Sequence, residues 1–199
     1  MPLPIPVLIA AKNKEAYLPR CLKALGPAAR VVVLDSQSSD ATPRIAREHG
    51  AEAFQFDYDG GYPKKRQWAL KTLDIETEWV FLLDADEVIP ESLWTEIRRT
   101  LSDSDINDAY LIAKSFHFLG QKFMYRGFSH EAVLLFRTGH AQFERLIDDP
   151  SGLDMEAHER LIVDGPVSSL NTALVHEDFK GLEAYTKPHN RYSTWEAHL

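Results

Sequence analysis

One segment of this 199-residue chain limits its possible folds more than any other: residues 79–87, WVFLLDADE, where an apolar run stops at three carboxylates. Five consecutive apolar residues predict a strand buried on both faces, which is typical of a parallel sheet covered by helices. Asp84, Asp86 and Glu87 would then lie at the carboxyl end of that strand. Open α/β sheets bind their ligands at this edge.

The three carboxylates indicate a binding site for a cation. Negative charges this close together repel one another unless a cation or a cationic ligand lies among them. In an extended chain the side chains of Asp84 and Asp86 point to the same side and could face one divalent ion. Oxygen ligands suit Mg²⁺ or Mn²⁺, which commonly accompany phosphates. A solvated acidic turn is the alternative interpretation.

Composition excludes several classes of partner. A net charge of −8 argues against nucleic acid. Cys21 is the only cysteine, which excludes an intrachain disulfide and predicts a reducing compartment. The sequence shows no signal peptide and no apolar run long enough to span a membrane, so we predict a cytoplasmic protein. Any membrane contact would be peripheral, at the inner face.

Apolar runs and helical segments alternate along the first half of the chain. Strands are predicted at residues 5–11, 31–34, 51–56 and 79–83, and helices at 15–25, 42–48, 63–73 and 90–101. Asn13 is a candidate cap for the first of these helices, and Gly26 with Pro27 would end it. This alternation predicts an α/β/α sandwich, with a mostly parallel central sheet flanked by helices, in a single domain.

The pattern changes after about residue 105. Strands are predicted at 109–119, 132–137 and 167–176, and a helix over 181–199. Basic and aromatic side chains in that final segment could form an interfacial helix at a membrane, or could pack against the sheet.

Further polar residues are predicted at the same sheet edge. Asp35 ends the second strand, where a carboxylate can accept hydrogen bonds from a base or a ribose; a simple turn role is the alternative. Lys64, Lys65 and Arg66 open the third helix, where basic side chains favour an anion such as a diphosphate, or else form a solvated face.

Two later residues are candidates for metal binding and catalysis. His176 ends an apolar run and could complete a carboxylate-bound metal site. Glu159, which follows His158, could be a general base if its surroundings tuned its pKa. Either residue could instead be structural.

Taken together, these segments resemble the inverting glycosyltransferases of family 2, which have the GT-A fold. The resemblance extends from Pro6 to about Trp195 and is carried by LIAAKNKEAYLPRCLKAL, VVVLDSQSSDAT, KKRQWAL and LLDADE. It is greatest for the WaaE-like lipopolysaccharide core glucosyltransferases, in which a His-Glu pair and a later histidine follow an Arg-containing strand. Arg137, the pair His158–Glu159, and His176 match that order.

The resemblance implies roles in donor binding. Asp35 would contact the nucleobase, with Ala11 and Asn13 near the base and the ribose. Asp84 would approach the ribose or the metal-bound diphosphate, and Arg66 would orient the donor.

The resemblance also implies the metal and the base. Asp86 would ligate Mn²⁺ or Mg²⁺ together with His176, and Glu159 would deprotonate the acceptor hydroxyl. Further acidic residues crowd the stretch 148–156, so the base could be another carboxylate there. Lys12 departs from the family pattern in the first loop and adds positive charge near the nucleotide.

The implied reaction moves a hexose from a nucleoside-diphosphate sugar, with UDP-glucose favoured, to a hydroxyl of a glycolipid or saccharide acceptor. Such a step would belong to cell-envelope polysaccharide or lipopolysaccharide biosynthesis. Residues 1–104 would form the nucleotide-sugar-binding half and residues 105–199 the acceptor-binding half.

Two other functions fit parts of the sequence. A haloacid-dehalogenase-like phosphatase also carries Asp-x-Asp after an apolar strand, but usually on its first strand, and three predicted strands precede Asp84 here. A nucleotide-sugar-binding domain without turnover is the non-enzymatic alternative. A sugar-nucleotide pyrophosphorylase would need a glycine-rich loop after the first strand, and residues 8–15 contain no glycine.

Overall fold

The structure is a computed structural model that describes residues 2–57, 63–102, 106–118, 121–122, 130–144 and 160–178. The strands in these residues are β1 (Leu3–Ala11), β2 (Ala28–Asp35), β3 (Glu52–Gln55), β4 (Trp79–Asp84), β5 (Glu87–Val88), β6 (Ala109–Phe118), β7 (Gln121–Lys122), β8 (His130–Arg137), β9 (Ala141–Phe143), β10 (Leu161–Val163), β11 (Val167–Ser169) and β12 (Leu174–Asp178). The helices are α1 (Leu18–Lys23), α2 (Thr42–Glu48), α3 (Lys65–Thr72) and α4 (Glu91–Thr100). The predicted helix over 181–199 lies outside the described residues.

The main sheet has the strand order β3-β2-β1-β4-β8-β6-β12-β5, with β7 and β11 also paired to β6. Strands β3, β2, β1 and β4 are parallel, whereas β8 runs antiparallel between β4 and β6. β12 and β11 are again parallel to β6. The predicted mostly parallel sheet is therefore found, with antiparallel pairing at β8 and at the short strands β5 and β7.

Helices cover both faces of the parallel part. α1 packs against α2, and Trp94 of α4 donates a hydrogen bond from Nε1 to the carbonyl of Ala24 at the end of α1. α3 packs on β1, β2 and β9 instead. The chain steps from β1 to β2 to β3 and then returns to β4, and right-handed crossovers place the returning helix on the opposite face. The predicted α/β/α sandwich follows from this reversal.

The core lies around β1 and β4. Residues 79–83 of β4 are all buried, and Asp84 is the first residue of this strand with a partly exposed side chain. Phe81 packs against Trp94 of α4, with ring centroids 6.3 Å apart, whereas Leu82 faces the side on which α3 lies. The prediction of a strand buried on both faces is thus correct. Cys21 is also buried, and burial raises the pKa of its thiol.

Three sequence-based details differ in the structure. Asn13 does not cap α1, because that helix begins five residues later, at Leu18. The strand predicted at 167–176 is two strands, β11 and β12, separated by a turn in which Glu96 of α4 accepts hydrogen bonds from the N–H groups of Asn171 and Thr172. The short strands β5, β7, β9 and β10 were not predicted. Among the described helices, none has the length and apolar character that crossing a membrane requires.

Candidate functional site

Three neighbouring strand ends form the candidate site. Ala11 at the end of β1 is in register with Asp35 at the end of β2, and Ala10 is in register with Asp84 at the end of β4. The backbone of Ala11 also accepts a hydrogen bond from the N–H of Ser36, at 3.0 Å. The structure therefore brings Ala11, Asp35 and Asp84 to one edge of the sheet, as the sequence predicts.

Asp35 is a buried carboxylate, and only one of its two oxygens has a hydrogen-bond partner among the described residues. Its side chain is buried, and Oδ2 accepts a hydrogen bond from the N–H of Ser38 at 3.1 Å. Oδ1 is also buried and has no hydrogen-bond partner among the described residues. Because a buried acceptor without a partner is costly, this oxygen is a candidate ligand contact.

Asn13 ties the loop after β1 to the loop after β2. Its φ of 52° lies in the left-handed region, which Asn tolerates better than most residues. Its N–H donates to Ser38 Oγ at 2.8 Å, and its Oδ1 accepts from the N–H of Ser39 at 2.8 Å. Asn13 thus lies at the predicted edge, and its hydrogen bonds fix the loop whose Ser38 contacts Asp35.

The second cluster lies at the end of β4. Asp84 and Asp86 are not on one extended segment as expected, since Ala85 and Asp86 form a turn between β4 and β5. Asp84 Oδ1 contacts the Arg66 guanidinium, and Asp84 Oδ2 lies 3.4 Å from Lys114 Nζ. The two aspartates therefore have different surroundings.

Glu87 fixes the geometry of this turn. It is fully buried, and its Oε2 accepts a hydrogen bond from the N–H of Asp84 at 2.9 Å. Its Oε1 lies 2.6 Å from Lys114 Nζ, so this carboxylate is balanced by a charge contact. Asp86 Oδ2 is contacted by Lys14. The repulsion expected among the three carboxylates is thus offset by cations of the chain itself.

These contacts shift the pKa values in consistent directions. Burial opposes ionisation of Asp84, but Arg66 and Lys114 outweigh it and hold the pKa of Asp84 well below its usual range. Burial likewise disfavours charged Lys114, yet Glu87 and Asp84 raise its pKa. For His176 burial is outweighed by Glu87 and Asp86, so its pKa is raised. Asp84 and Lys114 are therefore held in their charged forms.

The two residues expected to hold a metal, Asp86 and His176, lie close together in the structure. His176 on β12 pairs with Glu87 of β5, and its Nδ1 lies 3.9 Å from Asp86 Oδ1. Oxygen and imidazole ligands suit Mn²⁺ or Mg²⁺, and the Lys14 ammonium already places a cation on Asp86. Among the described residues, no group of three His, Cys, Asp or Glu side chains is arranged as a metal site. Phosphate oxygens and water would complete the coordination.

A cleft of about 680 Å³ runs from this edge across the α3 side of the sheet. Its floor is apolar and includes Leu82 and Leu134, and Phe143 of β9 forms part of its wall. Basic side chains line it as well: Lys12, Lys14, Lys65, Arg66, Lys114 and Arg160. An apolar cleft with convergent charged groups is the usual form of a small-molecule site.

Lys65 and Arg66 divide the start of α3 between two strand ends. Lys65 Nζ donates to Ser36 Oγ at 2.8 Å, next to Asp35, whereas Arg66 reaches Asp84. The basic start of α3 therefore spans the strand ends on either side of β1, as an anion-binding element would.

Sequence reasoning missed Lys14 and Lys114 as members of the site. Lys114 could have been found, because alternation along β6 places it on the same face as Tyr110 and Ile112, which are buried. A lysine at such a position needs a carboxylate partner. Lys14 carries no comparable pattern. Glu159 lies outside the described residues, although the next residue, Arg160, lines the cleft.

Comparison with known proteins gives one family. Residues 7–148 match the family model described as "Glycosyl transferase family 2". The chain is 26% identical over 201 residues to the lipopolysaccharide core biosynthesis glycosyltransferase LpsC of Rhizobium meliloti, covering 98% of this chain and 71% of that protein. It is 25% identical to an uncharacterized glycosyltransferase of Rickettsia typhi, covering 97% of this chain and 66% of that protein.

Among solved structures, the chain is similar to glucosyl-3-phosphoglycerate synthase from Mycobacterium tuberculosis, crystallised with Mn²⁺, UDP and glucosyl-3-phosphoglycerate. The identity is 20% and the TM-score 0.44, over 58% of this chain and 44% of that chain. The family match covers most of the described sheet, and it includes Asp35, Asp84 and Asp86. It confirms the resemblance and, with the observed α/β/α sheet, the predicted GT-A class: the chain belongs to glycosyl transferase family 2.

Proposed function

We propose that the protein is a metal-dependent inverting glycosyltransferase that moves a hexose from a nucleoside-diphosphate sugar to a hydroxyl of a saccharide or glycolipid. The observation that carries this proposal is that Asp35 and the acidic cluster of Asp84, Asp86 and Glu87 lie at one edge of the sheet in a family 2 domain. On one side of β1, Asp35 offers a buried oxygen that has no hydrogen-bond partner among the described residues. The turn with Asp84 and Asp86 offers a charged cluster on the other side. Family membership argues against the phosphatase alternative.

The donor would lie across the end of β1. Asp35 would accept hydrogen bonds from the base, because its free oxygen is an acceptor without a partner among the described residues. Ala11 and Asn13 would border the base and ribose. Arg66 and Lys65 open α3 and would contact the diphosphate.

The metal would be held by Asp86 and His176. When bound, Mn²⁺ or Mg²⁺ would offset negative charge on the leaving diphosphate. Glu87 would keep the turn rigid, because it binds the N–H of Asp84 and the Lys114 ammonium from a fully buried position. Enzymes commonly lower the activation barrier with preorganised polar groups that stabilise the charge developing in the transition state.

Glu159 is proposed as the base that takes the proton of the acceptor hydroxyl. The hydroxyl oxygen then attacks the anomeric carbon opposite the diphosphate, which leaves, and the configuration inverts. UDP-glucose is the proposed donor from the sequence resemblance. An acceptor in envelope polysaccharide or lipopolysaccharide biosynthesis is proposed from the same resemblance and from the name of LpsC. Contact with the inner face of a membrane belongs to this proposal too.

The test is turnover of UDP-glucose, followed as UDP release with an extracted envelope glycolipid as acceptor and Mn²⁺ present. We expect acceptor-dependent UDP release by the wild type. Glu159→Gln should still bind UDP with Mn²⁺ and lose about 10²–10⁴-fold in turnover, the range for a general base. Normal turnover by Glu159→Gln would assign the base to another carboxylate. Nucleotide binding without any turnover would instead support the binding-domain alternative.

A further inference from the structure

The Lys14 side chain contacts Asp86, which is one of the two proposed metal ligands. Its ammonium contacts Asp86 Oδ2. The same ammonium lies 5.4 Å from the centre of the Tyr17 ring, so it is held between a carboxylate and an aromatic face. The side chain is 28% exposed and that of Asp86 is 17% exposed. This is a partly buried ion pair and not a solvated surface contact.

The backbone around Lys14 is fixed on both sides. Its N–H donates to Thr42 Oγ1 at 2.8 Å, at the start of α2. Its carbonyl accepts hydrogen bonds from the N–H groups of Tyr17 at 3.0 Å and Leu18 at 2.9 Å, at the start of α1. The position of Lys14 is therefore set by the loop, and rotation of its side chain alone would release Asp86.

A metal and the Lys14 ammonium cannot both occupy Asp86 without strong repulsion. The other carboxylate oxygen, Oδ1, faces His176 Nδ1 at 3.9 Å, so a metal between these two residues would lie within a few ångströms of the ammonium. Like charges at such distances in a partly buried site repel strongly. One of the two cations must leave.

We propose that Lys14 is a tethered counter-ion that the divalent metal displaces from Asp86, and that the displaced ammonium then contacts the donor diphosphate. This inference rests on the proposed function, since it needs the metal and the donor to share this edge. The cleft supports the second step, because Lys14 lines it together with Lys65 and Arg66, at the start of α3. Nucleotide and metal would then strengthen each other's binding by the same factor.

The experiment measures the dissociation constant of Mn²⁺ by calorimetry, with and without UDP, for the full chain and three variants. Lys14→Ala removes the counter-ion, so Mn²⁺ alone should bind about two- to fivefold more tightly, the range of a partly exposed ion pair. UDP should then tighten Mn²⁺ binding by a smaller factor than in the wild type. Lys14→Arg keeps the cation and should restore both values toward those of the wild type.

Lys23→Ala is the matched control for Mn²⁺ binding without nucleotide. It removes the same charge from the end of α1, outside the cleft, and Lys23 is exposed, with no carboxylate partner among the described residues. We expect a change of less than about twofold, because an exposed charge is screened. If Lys14→Ala and Lys23→Ala both gave the same Mn²⁺ affinity as the wild type, the inference would be wrong although the proposed function would stand. Absence of Mn²⁺ binding in every protein, with or without UDP, would overturn the proposed function and this inference with it.

Discussion

Asp35 and Asp84 end two strands that flank β1, yet their surroundings are opposite. Asp35 is buried, and one of its oxygens has no partner among the described residues. Asp84 is one-third exposed and is contacted by Arg66 and Lys114. The end of β2 thus presents a hydrogen-bond acceptor without a partner among the described residues, and the end of β4 presents a cluster of opposite charges that balance one another. Position at a strand end makes an aspartate available to a ligand, but its neighbours decide which chemistry it can perform.

The difference follows from the loops rather than from the sheet. On the β2 side, Asn13, Ser38 and Ser39 connect two loops through neutral hydrogen bonds. Among the described residues, Asp35 forms no ion pair. On the β4 side, the turn brings Asp86 and Glu87 close to Asp84, and cations are needed to offset three negative charges. We propose that the end of β2, called here the nucleoside edge, binds the nucleoside. We propose likewise that the end of β4, called here the metal edge, binds the diphosphate and the metal.

The largest expected effect comes from the metal edge. Asp86→Ala removes the proposed metal ligand, and turnover of the nucleotide sugar should fall by about a thousandfold, since metal stabilisation of a leaving group amounts to several kcal/mol. Steady-state UDP release measures this. Glu76→Ala removes an exposed carboxylate outside both edges and is the control for charge. Equal losses in both variants would mean that net charge, and not the metal edge, governs the reaction.

The next effect concerns the nucleoside edge. Asp35→Asn keeps the shape of the side chain but replaces a carboxylate oxygen with an amide donor. UDP affinity should fall by about tenfold or more, because hydrogen bonds to charged groups contribute about 1.5–3 kcal/mol. Calorimetric titration with UDP tests this, and Mn²⁺ should still increase the remaining affinity.

The control for Asp35→Asn is Asp57→Asn, because Asp57 is exposed and follows β3 on the same side of the sheet. Its UDP affinity should match that of the wild type. Undiminished affinity in Asp35→Asn would remove the nucleoside from this edge and undo the contrast between the two aspartates.

Much of the first half could be predicted from local patterns, and the site only in part. The apolar run before Asp84 predicts β4, and the helix predicted at 42–48 coincides with α2. Lys14 could not be found, because its pairing with Asp86 joins residues 72 positions apart through a turn that no local pattern predicts. Long-range contacts of this kind depend on the packed fold rather than on sequence periodicity.

In the second half of the chain, the arrangement of the strands depends more on long-range contacts than on local sequence patterns. The strand predicted at 167–176 is interrupted near Asn171, because Glu96, which is distant in sequence, accepts a hydrogen bond from the backbone N–H of Asn171. The order of β8 between β4 and β6 also follows from pairing and not from any motif. Glu159, the proposed base, remains a prediction from the resemblance.

A smaller effect should come from the loop that holds Asp35. Asn13→Ala removes the hydrogen bond that Oδ1 accepts from the N–H of Ser39, and it leaves at φ of 52° a residue that tolerates the left-handed region less well than Asn. The free energy of unfolding should fall by about 1–2 kcal/mol. Asn13→Gly loses the same hydrogen bond but tolerates the backbone, so it should fall less. Urea unfolding of both variants separates the two contributions, and equal losses would mean that backbone conformation contributes nothing.

The smallest expected effect is a pH dependence outside both edges. Burial opposes ionisation of Glu96, but hydrogen bonds from Thr172 and Asn171 outweigh it and lower its pKa. A lowered pKa in the folded state contributes stability above the pKa of the unfolded chain, and this is lost as pH falls through the folded value. Glu96→Gln should therefore destabilise the protein by about 1 kcal/mol at pH 7. The difference from wild type should shrink toward low pH, and a constant difference from pH 7 to pH 3 would contradict this assignment.

The most direct test of the account is a thermal-shift panel of UDP, GDP, dTDP and CDP, each with Mn²⁺ and again with EDTA. A ligand at one hundred times its dissociation constant stabilises a protein by about 2.7 kcal/mol, which is readily measured. We predict a rise in melting temperature with UDP and Mn²⁺ that disappears in EDTA, that is weakened in Asp35→Asn, and that loses its metal dependence in Asp86→Ala. The same rise with all four nucleotides, in EDTA as in Mn²⁺, would contradict the division of the site into a nucleoside edge and a metal edge.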